Sequence, residues 1–443
     1  MCLLGNSGFR LYPPAGLSSN QDPGSCGGVL KRRWLPDGET VRSSFDRVWR
    51  IRRDIVTRPL SSEFRLAAAC CRWPPSAARD HAIAGAFAEG IDWALFLRIL
   101  RRQRIEGLAD AALRQSGLGV PKHVASELAA SSAAIARQNL VHAAASLRLQ
   151  RAFAEAGIPI LFIKGVTLSL LAYGTLALKK ARDIDVVVPP EAVGRAFELL
   201  EQAGYRCLSP AALSGGAEAR KETEWVDESG ILVELHGGLV DNPMLLPGMG
   251  ASSPAQLVPI ASGKSLPTLR KDELFAYLCV HGATHAWSRL KWLADVAALL
   301  SNDDEAEVER LYRRSVELGA GRSSAQALLL CSELLGTRLP ENLVRSLRSD
   351  LPTRWLVRVA LRSMTGARGE RELDETVFGT VPIHFSHFLL KRGGRYKVAE
   401  LKRKSVGRPG AGAQSLPGLL RYLRPVLAVP LWLRSRARER IRH

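Results

Sequence analysis

The sequence predicts an α+β fold in which a small mixed sheet is inserted between two helical regions, with irregular basic segments at both ends. Helical spacing of apolar residues dominates residues 61–157 and 269–392, whereas short apolar runs typical of strands are confined to residues 158–242. Residues 1–60 are rich in Gly, Pro, Ser and Arg without a sustained period. Residues 393–443 mix arginines with apolar side chains and predict a basic amphipathic tail.

Composition restricts the class of protein. The chain has 443 residues, of which 46% are hydrophobic and 24% charged, so it can form several globular domains. The 7 cysteines are scattered without CxxC spacing, which favours neither a disulfide framework nor a zinc site. The sequence contains no uncharged apolar run long enough to span a membrane, and its first residues do not resemble a secretory signal. We therefore expect a cytoplasmic protein.

The first part of the chain is predicted to be an irregular leader followed by a helical domain. The leader has too little periodic apolar sequence to form a core of its own. The segment GIDWALFLRILRRQRIEGLADAALRQSG then places apolar side chains at helical spacing among arginines. An alanine-rich segment follows and predicts one long helix that ends at Gly157.

Strands and helices alternate in the next segment, which predicts a compact α/β unit. IPILFI and IDVVV read as buried strands, and VTLSLLAY between them reads as a short helix. PEAVGRAFELLEQAG is a helix with Pro190 in its first turn and Gly204 just past its end. TEWVDESGILVELH predicts two strands joined by a tight turn from Asp227 to Gly230. Residues 243–268 read as a linker.

The net charge of +19 predicts attraction to anionic partners, and much of this charge lies at the two ends of the chain. Three interpretations of the C-terminal tail stay open. It is a solvated basic segment, a peripheral anchor on the anionic inner surface of a membrane, or a contact for nucleic acid.

Two strands of the α/β unit carry acidic residues in an unusual position. Side chains alternate along a strand, so Asp183 and Asp185 project to one side while Ile184, Val186 and Val188 face the core. In ILVELH the same alternation puts Glu234 and His236 on one face. If the two strands are neighbours, three carboxylates converge and repel one another unless a cation neutralises them. Carboxylate oxygens of this kind suit Mg²⁺ or Mn²⁺, so the sequence predicts a metal site.

A basic residue and a glycine precede the short helix of the unit. Lys164 and Gly165 follow the strand LFI directly, and a glycine at a helix start lets a phosphate approach the free backbone NH groups. A phosphate-binding helix start that faces a metal-binding acidic cluster is the arrangement needed to transfer a phosphoryl or nucleotidyl group.

The order of these motifs resembles a known family. The pair KG, a tyrosine-containing helix, Lys179, the motif RDIDVVV, a helix ending in AGY and the motif VELHGGL are similar to the uncharacterised nucleotidyltransferase family of the DNA polymerase β type superfamily. The resemblance implies that the segment 158–242 is the nucleotidyltransferase core. It implies three metal-binding and catalytic carboxylates, which are Asp183, Asp185 and Glu234. We also expect four residues to bind the nucleotide, which are Lys164, Gly165, Lys179 and His236.

The segment KDELFAYLCVHGATHAWSRLKWLADVAALL is predicted to be helical, and its polar and aromatic residues fall on one stripe. Helical spacing aligns His281, His285, Trp292 and Asp295. The stripe packs on the neighbouring domain, or it lines the cleft over the sheet and contacts the base, the ribose or the acceptor. His236 is likewise open to two interpretations, as a ligand or base and as a hydrogen-bonded structural histidine.

The resemblance implies an enzyme that moves a nucleoside monophosphate from a nucleoside triphosphate to an unknown acceptor hydroxyl or phosphate. In this superfamily a serine or glycine usually follows the glycine of the helix start, whereas Val166 stands here. That departure supports an alternative, a nucleotide-binding or regulatory module that has lost turnover. A further alternative is an adaptor that acts at a membrane surface through the basic C-terminus.

Overall fold

A mixed sheet lies between two helical regions, which confirms the predicted α+β fold. The computed structural model describes residues 60–208, 222–369 and 381–406, and all of these belong to one compact unit. The predicted leader, apart from residue 60, and the tail beyond residue 406 lie outside the described residues, so the expectations about them stay predictions. None of the helices in the described ranges is long and apolar enough to cross a membrane.

In the described residues five helices precede the sheet, where the sequence predicts a helical region. They are α1 (Ser62–Cys70), α2 (Ala77–Phe87), α3 (Trp93–Gln103), α4 (Glu106–Ser116) and α5 (Lys122–Glu155). The first three are capped by side chains that accept a hydrogen bond from a backbone NH, namely Ser61, Ser76 and Asp92. A capped short helix of this kind is stabilised by roughly 1 kcal/mol relative to one whose first NH groups lack an acceptor.

The long helix α5 connects the helical region to the sheet. It begins after Pro121 and ends before Gly157, whose φ of +64° is a backbone conformation that glycine adopts without strain. Near its C-terminal end it buries Leu149 and Phe153 in the same core as the sheet. In its middle, Asn139 Nδ2 donates hydrogen bonds to the carbonyl oxygens of Leu176 and Lys179, at 2.6 and 2.7 Å. The helix therefore fixes the loop that carries Lys179.

The central sheet has the strand order β1-β2-β5-β4-β3. Its strands are β1 (Leu161–Phe162), β2 (Ile184–Val187), β3 (Arg206–Cys207), β4 (Glu222–Val226) and β5 (Leu232–His236). The strands β2 and β5 run parallel, and the other neighbours are antiparallel. The predicted turn between β4 and β5 is present, with a hydrogen bond from the NH of Gly230 to the carbonyl of Asp227.

Alternation along β2 decides which side chains reach the core. Ile184 and Val186 pack in the core between the sheet and α5, whereas Asp185 points to the other face. Two helices of the unit are α6 (Gly165–Tyr173) and α7 (Val193–Gln202), and α7 follows a short 3₁₀ turn at Pro190–Ala192. On α7, Phe197 packs on Trp225 of the sheet at a ring-centroid distance of 5.3 Å.

Part of the predicted linker is a second, two-stranded sheet. The strands β6 (Ala255–Ala261) and β7 (Lys264–Leu269) form an antiparallel hairpin with an irregularity between Pro259 and Ala261. The hairpin was not predicted because Pro259 and Pro267 lie within its strands. Proline has no NH to donate to a neighbouring strand and is therefore usually excluded from the interior of a sheet. A two-stranded ribbon tolerates them, since each strand has one unpaired edge. Leu266 of β7 is buried against the main sheet.

Helices make up the rest of the described chain. They are α8 (Lys271–Thr284), α9 (Leu290–Leu299), α10 (Glu305–Glu317), α11 (Gly321–Leu330), α12 (Glu341–Ser349), α13 (Leu351–Thr365), α14 (Val381–Ser386) and α15 (Gly394–Val406). A π-helical turn at Cys331–Leu335 extends α11, and 3₁₀ turns lie at Gly366–Gly369 and His387–Leu389.

The segment predicted to form one continuous helix is two helices, α8 and α9. The chain turns at residues 285–289, where Ala286 and Trp287 have positive φ angles of 47° and 50°. The indole of Trp287 folds back over Gly282, so that a Cβ at this glycine would lie 2.4 Å from the nearest ring atom. The break therefore depends on a tertiary contact that helical periodicity does not report.

Candidate active site

The parallel pairing of β2 and β5 brings two acidic residues together. Asp185 and Glu234 are direct partners across the two strands, as the sequence predicts for neighbouring strands. His236 lies two residues further along β5 and on the same face, with Nε2 3.7 Å from Asp185 Oδ1 and 3.6 Å from Glu234 Oε2. The ligand atoms of these three residues all lie within 4.8 Å of one another. They form the acidic cluster of the site.

The atoms of the acidic cluster fit a divalent cation. Asp185 Oδ1 and His236 Nε2 are buried, and within the described part of the chain neither has a hydrogen-bond partner of good geometry. Buried polar atoms normally have such partners, and those that lack them often bind an ion. Two carboxylates and an imidazole supply oxygen and nitrogen ligands that suit Mn²⁺ well and Mg²⁺ through the oxygens.

The protonation of the acidic cluster reflects its burial and its neighbours. Burial opposes the charge on Asp185, but the ammonium of Lys164 and the ring of His236 outweigh it and hold the pKa of Asp185 well below its usual range. His236 favours ionisation of Glu234, yet burial and the two nearby aspartates raise the pKa of Glu234 above its usual value. Burial alone would lower the pKa of His236, and the carboxylates of Asp185 and Glu234 instead raise it to about 9.

Lys164 is the cation that compensates the buried aspartate. Its Nζ lies 2.6 Å from Asp185 Oδ1, and the lysine and aspartate side chains are 16% and 3% exposed. Gly165, the first residue of α6, has a φ of +63°, which explains why a glycine follows the lysine. The next residue, Val166, is buried. The first NH groups of α6 lack helical partners, as at any helix start.

Asp183 precedes β2 and, like Glu234, is half-buried. It lines the same cavity as Asp185 and Glu234 but is outside the group of ligand atoms within 4.8 Å of one another. Lys179, also predicted to bind nucleotide, is buried with Nζ 3.4 Å from Asp295 Oδ2. Asp295 in turn accepts a hydrogen bond from the hydroxyl of Tyr173 at 3.1 Å. Asp295 thereby holds Lys179 in place.

A cavity of about 910 Å³ opens over the acidic cluster. It is lined by the sheet, by α8 and α9, and by the segment from α14 to α15. All the site residues predicted from the sequence contribute to its lining: Lys164, Gly165, Lys179, Asp183, Asp185, Glu234, His236, His281, His285, Trp292 and Asp295. The cavity is large enough for a nucleotide-sized ligand.

The aromatic residues of the predicted stripe form a ring cluster on one wall of the cavity, although two helices and a turn supply them. The centroid of His285 lies 5.1 Å from that of Trp292 with the planes tilted by 30°. His281 is 4.7 Å from His285 and 5.5 Å from Trp292. Burial, together with the cations Lys164 and His285, lowers the pKa of His281 well below its ordinary value. Its neutral ring therefore offers an uncharged surface.

Several residues that line the cavity were not predicted from the sequence. Lys291 lies on α9, where burial, followed by the charge of Lys179, lowers its pKa to about 7 despite the opposing Asp295. Helical spacing gives no signal for a single half-buried lysine. Glu222 lies opposite His236 in the register of β4 and β5, so strand pairing could have identified it. The arginines 104 and 182 line the cavity as well.

The charges that line the cavity nearly cancel. Seven lysines and arginines stand against seven aspartates and glutamates: Arg104, Lys164, Lys179, Arg182, Lys291, Arg403 and Lys404 against Asp183, Asp185, Glu222, Glu234, Asp241, Asp295 and Glu400. A highly charged anion therefore gains little from the cavity as a whole. It would enter more favourably together with a divalent cation, whose charge the acidic cluster would share.

Comparison with known proteins agrees with the resemblance seen in the sequence. No curated protein matches the chain. A family model described as an uncharacterised nucleotidyltransferase matches residues 89–336, which is more than half of the 443 residues. The matched span contains the acidic cluster, Lys164 and the ring cluster, and it ends before α12. The chain belongs to this family of uncharacterised nucleotidyltransferases.

Proposed function

We propose that the protein transfers a nucleoside monophosphate from a nucleoside triphosphate to an acceptor hydroxyl or phosphate, with Mg²⁺ or Mn²⁺ as cofactor. The observation that carries this proposal is the direct pairing of Asp185 with Glu234 beside Lys164 at the start of α6, in one cavity. It joins a candidate cation site to a candidate phosphate site. Both are required by a reaction in which the charge of the phosphates must be neutralised.

Asp185 and Glu234 would hold the metal ion, with Asp183 as the third carboxylate and His236 as a nitrogen donor. When bound, the ion supplies positive charge that stabilises the attacking and leaving oxygens of the phosphoryl group. Lys164 would turn from Asp185 towards the phosphates, where the NH groups at the start of α6 also donate hydrogen bonds. Lys179, held by Asp295, adds positive charge further along the same cavity.

In the reaction, an acceptor oxygen attacks the α-phosphorus and forms a new P–O bond, while the bond to the bridging oxygen breaks and pyrophosphate leaves. When the acceptor is a hydroxyl, its proton must be removed. Glu234 is the carboxylate we assign to this step, because its side chain is 22% exposed in the cavity, whereas that of Asp185 is 3% exposed and paired with Lys164. The ring cluster of His281, His285 and Trp292 would contact the base or the ribose.

The experiment is incubation of the full chain with each of the four α-labelled nucleoside triphosphates and Mg²⁺ or Mn²⁺, in the presence of a metabolite and RNA extract. Transfer of label to an acceptor, with stoichiometric pyrophosphate, supports the proposal. A matched reaction with Asp185→Asn must lose the activity. Metal-dependent triphosphate binding without any transfer or pyrophosphate release would contradict it.

A nucleotide-binding module without turnover is the second candidate, and Val166 is the observation that favours it. The valine is buried, so the position that usually supplies a hydroxyl or a bare glycine backbone packs into the core. The same incubation separates the two candidates. A cytoplasmic location, and contacts of the basic tail with a membrane surface or nucleic acid, stay proposals that binding of the full chain to anionic vesicles and to RNA would test.

A further inference from the structure

One wall of the cavity comes from a part of the chain beyond the family match. The match ends at residue 336, whereas α14, the following 3₁₀ turn and α15 comprise residues 381–406. Four polar residues of this segment line the cavity together with Glu400: His384, His387, Arg403 and Lys404. This wall therefore lies outside the residues that the family model matches.

Glu400 and Arg403 attach the wall to the rest of the protein. Glu400 is buried and accepts hydrogen bonds from Arg403 Nε at 3.1 Å and from Asn242 Nδ2 at 3.1 Å. The remaining arginine nitrogens donate to Glu400 Oε1, to Asp241 Oδ2 at 3.0 Å and to His387. The nitrogens of Arg403 are thus occupied, and the roles of Glu400 and Arg403 are structural.

Lys404 differs from Arg403 because its contacts are mostly with uncharged groups. Its Nζ lies 3.0 Å from His387 Nδ1 and 3.4 Å from His384 Nδ1. Its carboxylate contact in the described part of the chain is Glu400 Oε1 at 3.7 Å, an oxygen that already binds Arg403. The lysine side chain is only 14% exposed, so water compensates its charge incompletely.

The histidines beside Lys404 are oriented by their hydrogen bonds. His387 Nε2 lies 2.8 Å from the carbonyl of Thr284, which can only accept, so this nitrogen carries the proton and Nδ1 is an acceptor that Lys404 and Arg403 share. When His384 Nδ1 accepts from Lys404 in the same way, its Nε2 carries a proton. His384 is exposed on the cavity side. Lys404 and His384 thus present two donors to a ligand.

The electrostatics of the wall favour an anion. Burial, opposed by Glu400 and assisted by Arg403, lowers the pKa of Lys404 to about 8, which shows that its charge is incompletely compensated. The same cations, Lys404 and Arg403, act together with burial to lower the pKa of His384 to about 4. A negatively charged group at this position would supply the missing counter-charge.

We propose that Lys404 and His384 bind an anionic group, a phosphate or a carboxylate, on the acceptor that receives the nucleotidyl group. This assignment rests on the proposed function and names the chemical class of its acceptor. The loop that anchors the wall supports it, because Asp241 follows His236 of the acidic cluster by five residues. Lys404 and His384 line the same cavity as Asp185 and Glu234, so an acceptor held at the wall would share one cavity with the reacting phosphate.

The test begins with the full chain saturated with Mg²⁺ and a non-hydrolysable nucleoside triphosphate, so that the nucleotide position is filled. Inorganic phosphate is then titrated by calorimetry, and acetate is titrated in a parallel arm to distinguish a phosphate from a carboxylate site. The variants are Lys404→Ala and His384→Ala. The matched control is Lys402→Ala, which removes an exposed lysine of the same helix. His384 is itself exposed, so its variant tests the site without a change in core packing.

We expect the nucleotide-loaded protein to bind one further anion, and Lys404→Ala and His384→Ala each to weaken it about tenfold, as for loss of a charged hydrogen bond. Lys402→Ala should leave this affinity unchanged, and the nucleotide affinity should be equal in all variants. Equal anion binding in Lys404→Ala and Lys402→Ala, or no second anion, would overturn the proposal. So would displacement of the nucleotide by phosphate, because Lys404 would then contact the triphosphate.

Failure of the proposed function gives a different result. If the protein binds no triphosphate, the same phosphate titration without nucleotide still shows whether an anion site depends on Lys404. If the protein binds no nucleotide but binds phosphate at a site that depends on Lys404, the transferase proposal is rejected and the anion site stands. Retained nucleotide binding without a Lys404-dependent site would reject only the acceptor assignment.

Discussion

The ammonium of Lys164 lies 2.6 Å from Asp185 Oδ1, a buried oxygen of the acidic cluster. The lysine therefore occupies the position of a counter-ion beside the carboxylate that we assign to the metal. In the proposed function, a metal ion and Lys164 would compete for the same negative charge. A bound triphosphate would give the lysine a second partner and so relieve the competition.

Replacement of Lys164 by Met should change metal and nucleotide affinity in opposite directions. Without the ammonium, Asp185 attracts a cation more strongly, so Mg²⁺ should bind the nucleotide-free protein several-fold more tightly. Triphosphate affinity should fall, and Lys164→Arg should restore it only in part, because a guanidinium does not occupy the position of a point charge equally well. Calorimetry measures both, with the exposed Lys397→Met as control. Unchanged Mg²⁺ affinity in Lys164→Met would argue against competition at Asp185.

Asp183 and Asp185 should differ in their effect on stability. Asp185 is buried and paired with Lys164, so Asp185→Ala leaves a poorly hydrated ammonium without its partner and should cost up to about 3 kcal/mol of unfolding free energy. Asp183 is half-buried, so Asp183→Ala should cost less than about 1 kcal/mol of unfolding free energy. Urea unfolding in the presence of a chelator measures both values. An equal loss of unfolding free energy in the two variants would show that the ion pair of Lys164 with Asp185 contributes little to stability. Both variants should lose divalent-ion affinity.

Glu234 should matter for turnover more than for binding. Its replacement by Gln removes a metal-binding oxygen and the proposed proton acceptor but keeps the shape of the side chain. We expect near-normal triphosphate affinity and a turnover reduced by at least about a hundredfold, which corresponds to about 2.7 kcal/mol of barrier. Glu224→Gln is the matched control, because Glu224 lies directly opposite Glu234 on β4 but does not line the cavity. Full activity in Glu234→Gln would reject this role.

Lys291 should make stability depend on pH in a specific direction. An unfolded lysine has a pKa of about 10.4, whereas burial lowers that of Lys291 to about 7. Between these values the unfolded chain holds a proton that the folded protein has released, so the stability of the natural protein should rise with pH. Lys291→Met lacks this contribution. The variant should gain stability relative to the natural protein at pH 6, and the gain should shrink towards pH 10.

The melting temperatures of the natural protein and of Lys291→Met, measured between about pH 6 and pH 10, test this expectation. Lys397→Met serves again as the exposed control. A stability difference that is constant with pH would show that Lys291 keeps an ordinary pKa.

The sequence predicts the elements of the fold better than the contacts between them. Alternation along β2 and β5 identified Asp185, Glu234 and His236, because strand periodicity fixes the side to which each points. The pairing of Lys164 with Asp185 could not be predicted, since it depends on the path of the chain between two separate elements. The break between α8 and α9 was missed for the same reason, because it depends on the contact of Trp287 with Gly282.

Residues beyond the recognisable motifs were also missed. The wall formed by α14 and α15 carries no motif, and its place in the cavity follows only from tertiary packing. The hairpin of β6 and β7 was concealed by two prolines that an edge strand can accommodate. Periodicity therefore located the acidic cluster, whereas the shape of the cavity around it required the structure.

The most direct test of the account is the position of Mn²⁺ in a crystal of the full chain grown with Mn²⁺ and a non-hydrolysable nucleoside triphosphate. The anomalous signal of the ion locates it without reference to any functional assay. We predict a peak within coordination distance of Asp185 and Glu234, with the phosphates of the nucleotide at the start of α6 and Lys164 moved towards them. A nucleotide bound elsewhere in the protein, or a Mn²⁺ peak away from both carboxylates, would contradict the account.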